Sequence, residues 1–430
     1  METSVFESKD YQRARSAYRW ACAFEYFVAL LVADAFLAKL LTALGMSDAM
    51  IGIISSFITL AFLFQLFSIF VVQRIVNTKR FVILFHTASQ LFFMSLYLIP
   101  FLPIAKELRY VLVVICLLAA YFGNYFVHSI FFKWANSYVD PRKRASFSAG
   151  KEMLSLLTGT AMTLILGAVM DAFEAAENLF GGFLFCAGSI LVFSASNLVC
   201  LILIKKDVKP EIEKREIVPM REVFRNTLGT KRFRSVVILT ILWDIARYTT
   251  IGFMGTYRLN ELAFSVAAVQ LINLVGSTGR FFMTKPLGRF SDKYSFARGV
   301  EVGLLFAAVG FGAAIFTSPD SRFLIVAYTL FYYVSLAGTN ANLFNITYSY
   351  VDSKYFVQAS ALKNSIGGIF GFGATLVSGK ILSSIQANGN QIFGVTVYGQ
   401  QILAAISFVL IVISILYTHF VIAKQRVLLQ

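Results

Sequence analysis

Long apolar runs, interrupted every twenty to thirty positions by short polar or basic stretches, make up most of this chain. Runs such as 51–72, 111–132 and 404–420 have the length and near absence of charge that a helix needs to cross ~30 Å of hydrocarbon. Twelve segments of this kind are predicted, near residues 19–42, 49–72, 81–102, 109–133, 146–170, 182–204, 235–257, 265–284, 299–317, 322–343, 359–382 and 399–423. The expected fold class is an all-α membrane protein of twelve transmembrane helices. With 58% hydrophobic and only 14% charged residues in 430, the composition excludes an ordinary soluble globular chain. The opening "METSVFESKDYQRARSAYRW" is polar and basic and lacks a short apolar core with a cleavage site, so no cleavable signal peptide is expected.

A net charge of +15 raises the question of nucleic acid, but in a membrane chain the placement of Lys and Arg decides its meaning. Residues 205–234 alone hold ten of them. Arg13, Arg15 and Arg19, then Arg74, Lys79 and Arg80, then Arg142, Lys143 and Arg144, then Lys285, Arg289, Lys293 and Arg298 fall on the same side if each segment crosses once. The opposite connections carry few, among them Lys106, Arg109, Arg258 and Arg322. The expected partner is therefore the lipid bilayer of the plasma membrane, not nucleic acid, with both termini cytoplasmic. Cys22, Cys116, Cys186 and Cys200 all fall inside predicted spans without metal-ligand spacing and read as packing residues.

The tetrapeptide "SYVD" stands at 137–140 and again at 349–352. Sliding 137–167 by 212 positions onto 349–379 gives eleven identities without a gap: Ser137, Tyr138, Val139, Asp140, Ser148, Ala149, Lys151, Gly159, Thr163, Leu164 and Gly167. Earlier in each half the offset becomes 218, where "LGMSDAMIGIISS" runs parallel to "LAFSVAAVQLINL". An offset of six spans preserves orientation, so the halves read as parallel repeats about an axis along the membrane normal. The expected bodies are two pseudo-symmetric six-helix bundles, 1–204 and 235–430, joined by a cytoplasmic linker, 205–234. An amphipathic stretch near 220–228 in that linker is read either as a surface helix or as solvated chain.

Six plus six spans with a long central loop, together with "GRFSDK" at 288–293, resemble the major facilitator superfamily. The motif places Gly288, Asp292 and Lys293 in the pattern Gly-x-x-x-Asp-Arg/Lys, read physically as a short turn with Asp292 accepting hydrogen bonds at a helix terminus. The resemblance implies that this loop latches the two halves on the cytoplasmic side. Two departures stand against a full latch. Tyr294, Ser295 and Phe296 intervene before Arg298, and "VVQRIVNTKR" in the first half has neither the Gly nor the Asp.

Ionisable residues inside spans are costly, roughly 2.5–3.5 kcal/mol at the bilayer centre, and usually face a cavity or a partner. Asp244 and Arg247 share a helix face near the middle of span 7, as a structural ion pair or as a proton or substrate site. Glu25 and Asp34 lie on opposite faces of span 1, where each is a candidate for proton coupling or for interhelical pairing; Lys39 sits near the outer end, placed to snorkel. Asn124 and His128 share one face of span 4, and His128 joins the proton candidates. Gln270 and Asn273 in span 8, and Asn340, Asn342 and Asn345 in span 10, offer hydrogen bonds to a polar solute or to neighbouring helices. At matched starts of spans 5 and 11, Lys151 and Lys363 are expected at the cytoplasmic rim, as a gate or snorkelling to the interface. Glycines between 367 and 379 permit close helix contact.

No phosphate-binding loop, metal spacing or nucleophile elbow is present, so the chain is not expected to be an enzyme or to use ATP directly, and no cofactor is implied. Two repeats around a polar midplane imply a secondary transporter working by alternating access, expected to act as a monomer. A proton-coupled symporter of a small polar, sugar-like solute is favoured by the Asn, Gln and His content. Proton-coupled drug efflux is the alternative; the resemblance implies a Gly- and Pro-rich motif in span 5 for drug exporters, and 146–170 contains no Pro.

Overall fold

The computed structural model describes residues 8–64, 77–136, 138–139, 144–204, 220–352, 355–392 and 394–425. Arg74, Ser137, Asp140, Arg142 and Lys143, the end of the second predicted span and 205–219 of the linker lie outside the described residues. Contacts divide the chain into two units, Met1–Gly45 with Phe64–Glu216 and Met46–Leu63 with Ile217–Gln430. The first half of the second predicted span thus packs with the second unit, which the linear division at the linker did not foresee.

The first unit contains α1 (Lys9–Leu31), α2 (Asp34–Ala43), α4 (Thr78–Leu96), α5 (Lys106–Asn136), α6 (Arg144–Ala175) and α7 (Leu179–Leu203), with α3 (Asp48–Ser55) belonging to the second. The second unit continues with α8 (Met220–Asn226), α9 (Lys231–Tyr248), α10 (Val266–Lys293), α11 (Phe296–Ile315), α12 (Leu324–Tyr350), α13 (Phe356–Ala387) and α14 (Gly399–Tyr417). A two-residue hairpin, β1 (Gln391–Ile392) and β2 (Val395–Thr396), precedes α14. Among the described residues nine helices are long and apolar enough to cross a membrane, or ten if α1 and α2 form one bent span. Large apolar side chains such as Leu157, Phe282 and Phe316 point outwards, as a multi-pass membrane protein requires of its lipid-facing surface.

Helices prevail because backbone groups in hydrocarbon must be satisfied within the segment. Their starts are set by polar caps: Ser8, Ser47, Asn77, Asn178, Thr230, Ser265 and Ser295 each accept from a backbone N–H in the first turn of the helix that follows. The first span is not one rod, as the pattern predicts, but breaks after Leu31 and bends by 42°. Asp34 opens α2 with φ of 44°, a left-handed conformation that interrupts the helical ladder. The Tyr97 hydroxyl donates to the Leu31 carbonyl at 2.5 Å, replacing a bond lost at the break.

Within the first unit, Asn197 donates to the Ala21 carbonyl at 2.7 Å, tying α7 to α1. Lys79 donates to the carbonyls of Ile202 and Ile204, where the negative end of α7 favours a cation. Its core joins Tyr18, Phe131, Trp134 and Phe147. Lys39, placed by its sequence position to snorkel, instead pairs with Glu174.

In the second unit α11 and α12 touch through backbone. A Cβ on Gly338 would lie 2.8 Å from the Gly303 Cα, so only glycine permits the approach. The α3 segment fits against the turns after α9 in the same way, since a Cβ on Gly252 would come within 2.6 Å of the Gly52 carbonyl oxygen. Asp48 at the start of α3 accepts from Asn260 at 2.9 Å and from Gln386 at 2.8 Å. The stretch near 220–228 forms α8, and it is neither free nor laid on a membrane surface alone. Val223 is buried with Phe233, Val351 and Tyr355, and Tyr355 bonds Glu222.

Tyr97→Phe keeps the ring but orphans the Leu31 carbonyl. A loss of about 1–3 kcal/mol is expected, read as a lower midpoint in thermal unfolding of the detergent-purified protein.

Candidate functional site

Helix α9 presents Thr240, Asp244 and Arg247 along one stripe, spaced by four and three residues. The continuous span that contains it runs Lys231–Glu261, so Asp244 lies near its middle. Only 4% of Asp244 is exposed. Arg247 Nε donates to Asp244 Oδ1 at 2.9 Å and Nη2 approaches the same oxygen at 2.7 Å. The guanidinium carbon stands 4.5 Å from the Tyr248 ring centroid and 5.7 Å from that of Trp243, and Tyr332 lies within electrostatic reach. The pair's charges are therefore mutually compensated, with the guanidinium seated against two rings.

Helix α13 supplies the opposite wall. Lys363 and Gly367 are one turn apart and share a face. A Cβ on Gly367 would overlap Asp244 Oδ2 and stand 2.9 Å from Thr240 Cγ2, so the bare backbone is what admits the carboxylate. Lys363 is 6% exposed and lies within electrostatic reach of both Asp244 and Arg247. These residues bound a cavity of about 260 Å³, completed by Phe62, Trp243, Asn340, Leu343, Phe344, Ser360 and Asn364. Charged groups, amides and a hydroxyl converge on one small space in an otherwise apolar body, which is the composition of a polar-ligand site.

The first unit holds its own polar cluster. His86 Nε2 on α4 stands 3.8 Å from Glu25 Oε2 on α1. His128 on α5, stacked on Tyr125 with centroids 6.2 Å apart, lies within electrostatic reach of Glu25, His86 and Lys151. The repeat offset explains the likeness of the two clusters. His128 and Asn340 are 212 positions apart, as are Lys151 and Lys363, and each set stands near an acid of the first helix in its half.

Several of the sequence-derived candidates are placed elsewhere. Asn342 is buried and donates to the Gly338 carbonyl at 2.6 Å, while Asn345 is half-buried with its carbonyl taken by Ser349. Asn273 accepts from Arg258 at 3.3 Å, and Arg258 also donates to Thr329 at 2.8 Å; Gln270 is buried one turn before Asn273. None of these four lines the Asp244 cavity. Asp34 sits at the helix break, in a different segment from Glu25. Asn124 is half-buried one turn before His128. Gly288, Asp292 and Lys293 occupy the last turns of α10, all exposed, rather than a tight turn; Asp292 is at the carbonyl end of the helix, where a carboxylate gains no hydrogen bonds from free N–H groups. Lys363 is not a rim residue snorkelling outwards, because packing of α13 against α9 buries it beside the ion pair.

Sequence reasoning missed His86, although an imidazole within the apolar run 81–102 is the signal that singles out His128. It also missed Gln90, one turn later and equally buried, and the aromatic seats of Arg247.

A family model described as Major Facilitator Superfamily matches residues 20–375. Among solved structures, a mutant of nucleoside transporter NupG superimposes with a TM-score of 0.75 at 13% identity, covering 96% of this chain and 100% of that one. An auto-inhibited POT family peptide transporter gives 0.72 at 12% identity, with 97% and 98% covered. A bacterial homolog of the human lysosomal transporter Spinster, inward-facing and unoccupied, gives 0.65 at 16% identity, with 99% of each chain covered. At these identities the likeness concerns the fold. A comparison with curated proteins yields no match.

Gly367→Ala drives a methyl into the Asp244 carboxylate and is expected to destabilise the protein by about 1–3 kcal/mol. Gly373→Ala, on the same helix with nothing within 4 Å, is the control, expected to be neutral or stabilising by up to about 1 kcal/mol. Equal melting points for the two variants would contradict the close fit.

Proposed function

Because the chain belongs to the Major Facilitator Superfamily, its model matching residues 20–375, we propose that it is a secondary active transporter moving a small polar solute by alternating access, coupled to protons. The observation that carries this reading is the 260 Å³ cavity around Asp244, Arg247 and Lys363, a cluster of charge that a membrane protein retains only at a cost. Its size suits a small solute, and its amides Asn340 and Asn364 and hydroxyl Ser360 suit hydroxyl groups, as on a sugar-like molecule. A purely lipophilic drug would leave these groups unpaired.

The proton site in this reading is the Glu25 cluster. Glu25 has two imidazoles near it, His86 at 3.8 Å and His128 within electrostatic reach, and imidazole is the side chain suited to passing protons near neutral pH. Asp244 is committed to Arg247 and serves the solute site, positioning the guanidinium. The concentration of Lys and Arg in alternate connections supports an orientation with both termini cytoplasmic.

In proteoliposomes with an imposed pH gradient, Glu25→Gln is expected to abolish gradient-driven accumulation of a transported solute while leaving solute exchange intact. Asp244→Asn is expected to weaken both, by roughly tenfold or more in apparent affinity. Normal accumulation by both variants would contradict proton coupling through these acids.

A further inference from the structure

The cavity's charges do not balance. Asp244 and Arg247 compensate each other through two close contacts to a single carboxylate oxygen. Lys363 then remains as a second cation. It is 94% removed from solvent, since only 6% of its surface is exposed. Among the described residues it has neither a hydrogen-bond nor an ion-pair partner. Asp244 and Arg247 act on it in opposite senses, the carboxylate the more strongly, but Asp244 is already bonded to the guanidinium. The other cavity walls are neutral: Thr240, Asn340, Ser360 and Asn364 among the polar ones, Phe62 and Phe344 among the apolar ones. A buried ammonium without a partner is costly, and an opposite charge brought to it from outside relieves that cost.

Resting on the transporter reading above, we propose that the solute carries an anionic group, a carboxylate or a phosphate, that docks on the Lys363 ammonium, while Asn340 and Asn364 hold its neutral polar groups. A neutral solute would leave Lys363 uncompensated when the site is filled, and a cationic one would be repelled by the surplus charge. An anion, by contrast, gains a charge-assisted hydrogen bond shielded from water. Asp244 contributes selectivity: it screens Arg247, so that the surplus is a single positive charge and a monoanionic group suffices to neutralise the cavity.

The test uses the purified full-length protein and thermal shift with gluconate, glucose 6-phosphate, glucose and glucosamine, four probes of one carbon skeleton and different charge. At least one of the two anions is expected to raise the melting temperature, with glucose and glucosamine without effect; which anion responds separates carboxylate from phosphate. Absence of any shift by either anion, or a shift by glucose equal to theirs, overturns the inference. In Lys363→Met the ligand-free protein is expected to melt higher than the wild type, because an uncompensated charge has been removed, and its response to the anion is expected to weaken roughly 10- to 100-fold in concentration. Lys363→Arg is expected to keep the response. A lower ligand-free melting temperature for Lys363→Met, with the anion response intact, would make Lys363 a structural partner of Asp244 and end the proposal. Exchange of labelled glucose by proteoliposomes with no response to anions would sink the anionic solute and leave the transporter standing, whereas no flux of any of the four probes, with anion binding present, would sink transport and leave the site.

Discussion

Water is missing from most of the volume this chain occupies, and each polar group placed there must find its partner within the protein. The Asp244–Arg247 contact shows the rule most directly. Two side chains that would each be ruinous alone are made tolerable by sharing one helix, one carboxylate oxygen and an aromatic seat. The same necessity closes the gap at Leu31 with a tyrosine hydroxyl, ends α7 on the ammonium of Lys79 and surrounds Arg258 with Asn273 and Thr329. At Lys363, which faces a cavity, the partner is left to a visitor.

Duplication gave each half the same scaffold and let the chemistry drift apart. At positions 212 apart, one half has an imidazole, His128, and the other an amide, Asn340. The lysine is shared, and the acid is present in both, as Glu25 with histidines and as Asp244 with an arginine. Histidine, arginine and amide therefore distinguish the two clusters, and in the proposed reading the first serves protons and the second the solute.

Much of this was legible in the sequence because lipid enforces simple patterns. Apolar run length gives the helices, and the spacing of Asp244 and Arg247 gives their pairing without any knowledge of neighbours. What was not legible depends on how helices face one another. Lys363 lies only a few residues inside its span, so its depth along the helix suggests the rim; its burial comes from the approach of α9 through Gly367, which no local pattern encodes. The asparagines of span 10 looked alike, yet Asn340 faces the cavity and Asn342 turns back on its own helix. The Gly-x-x-x-Asp-Lys motif suggested a turn, but α10 runs through it. The kink at Asp34 escaped notice because no proline or glycine marks it.

The backbone contact between Gly303 and Gly338 has a mechanical meaning. With no side chain between them, α11 and α12 lie backbone against backbone, and any larger residue at either position would act as a wedge that levers them apart.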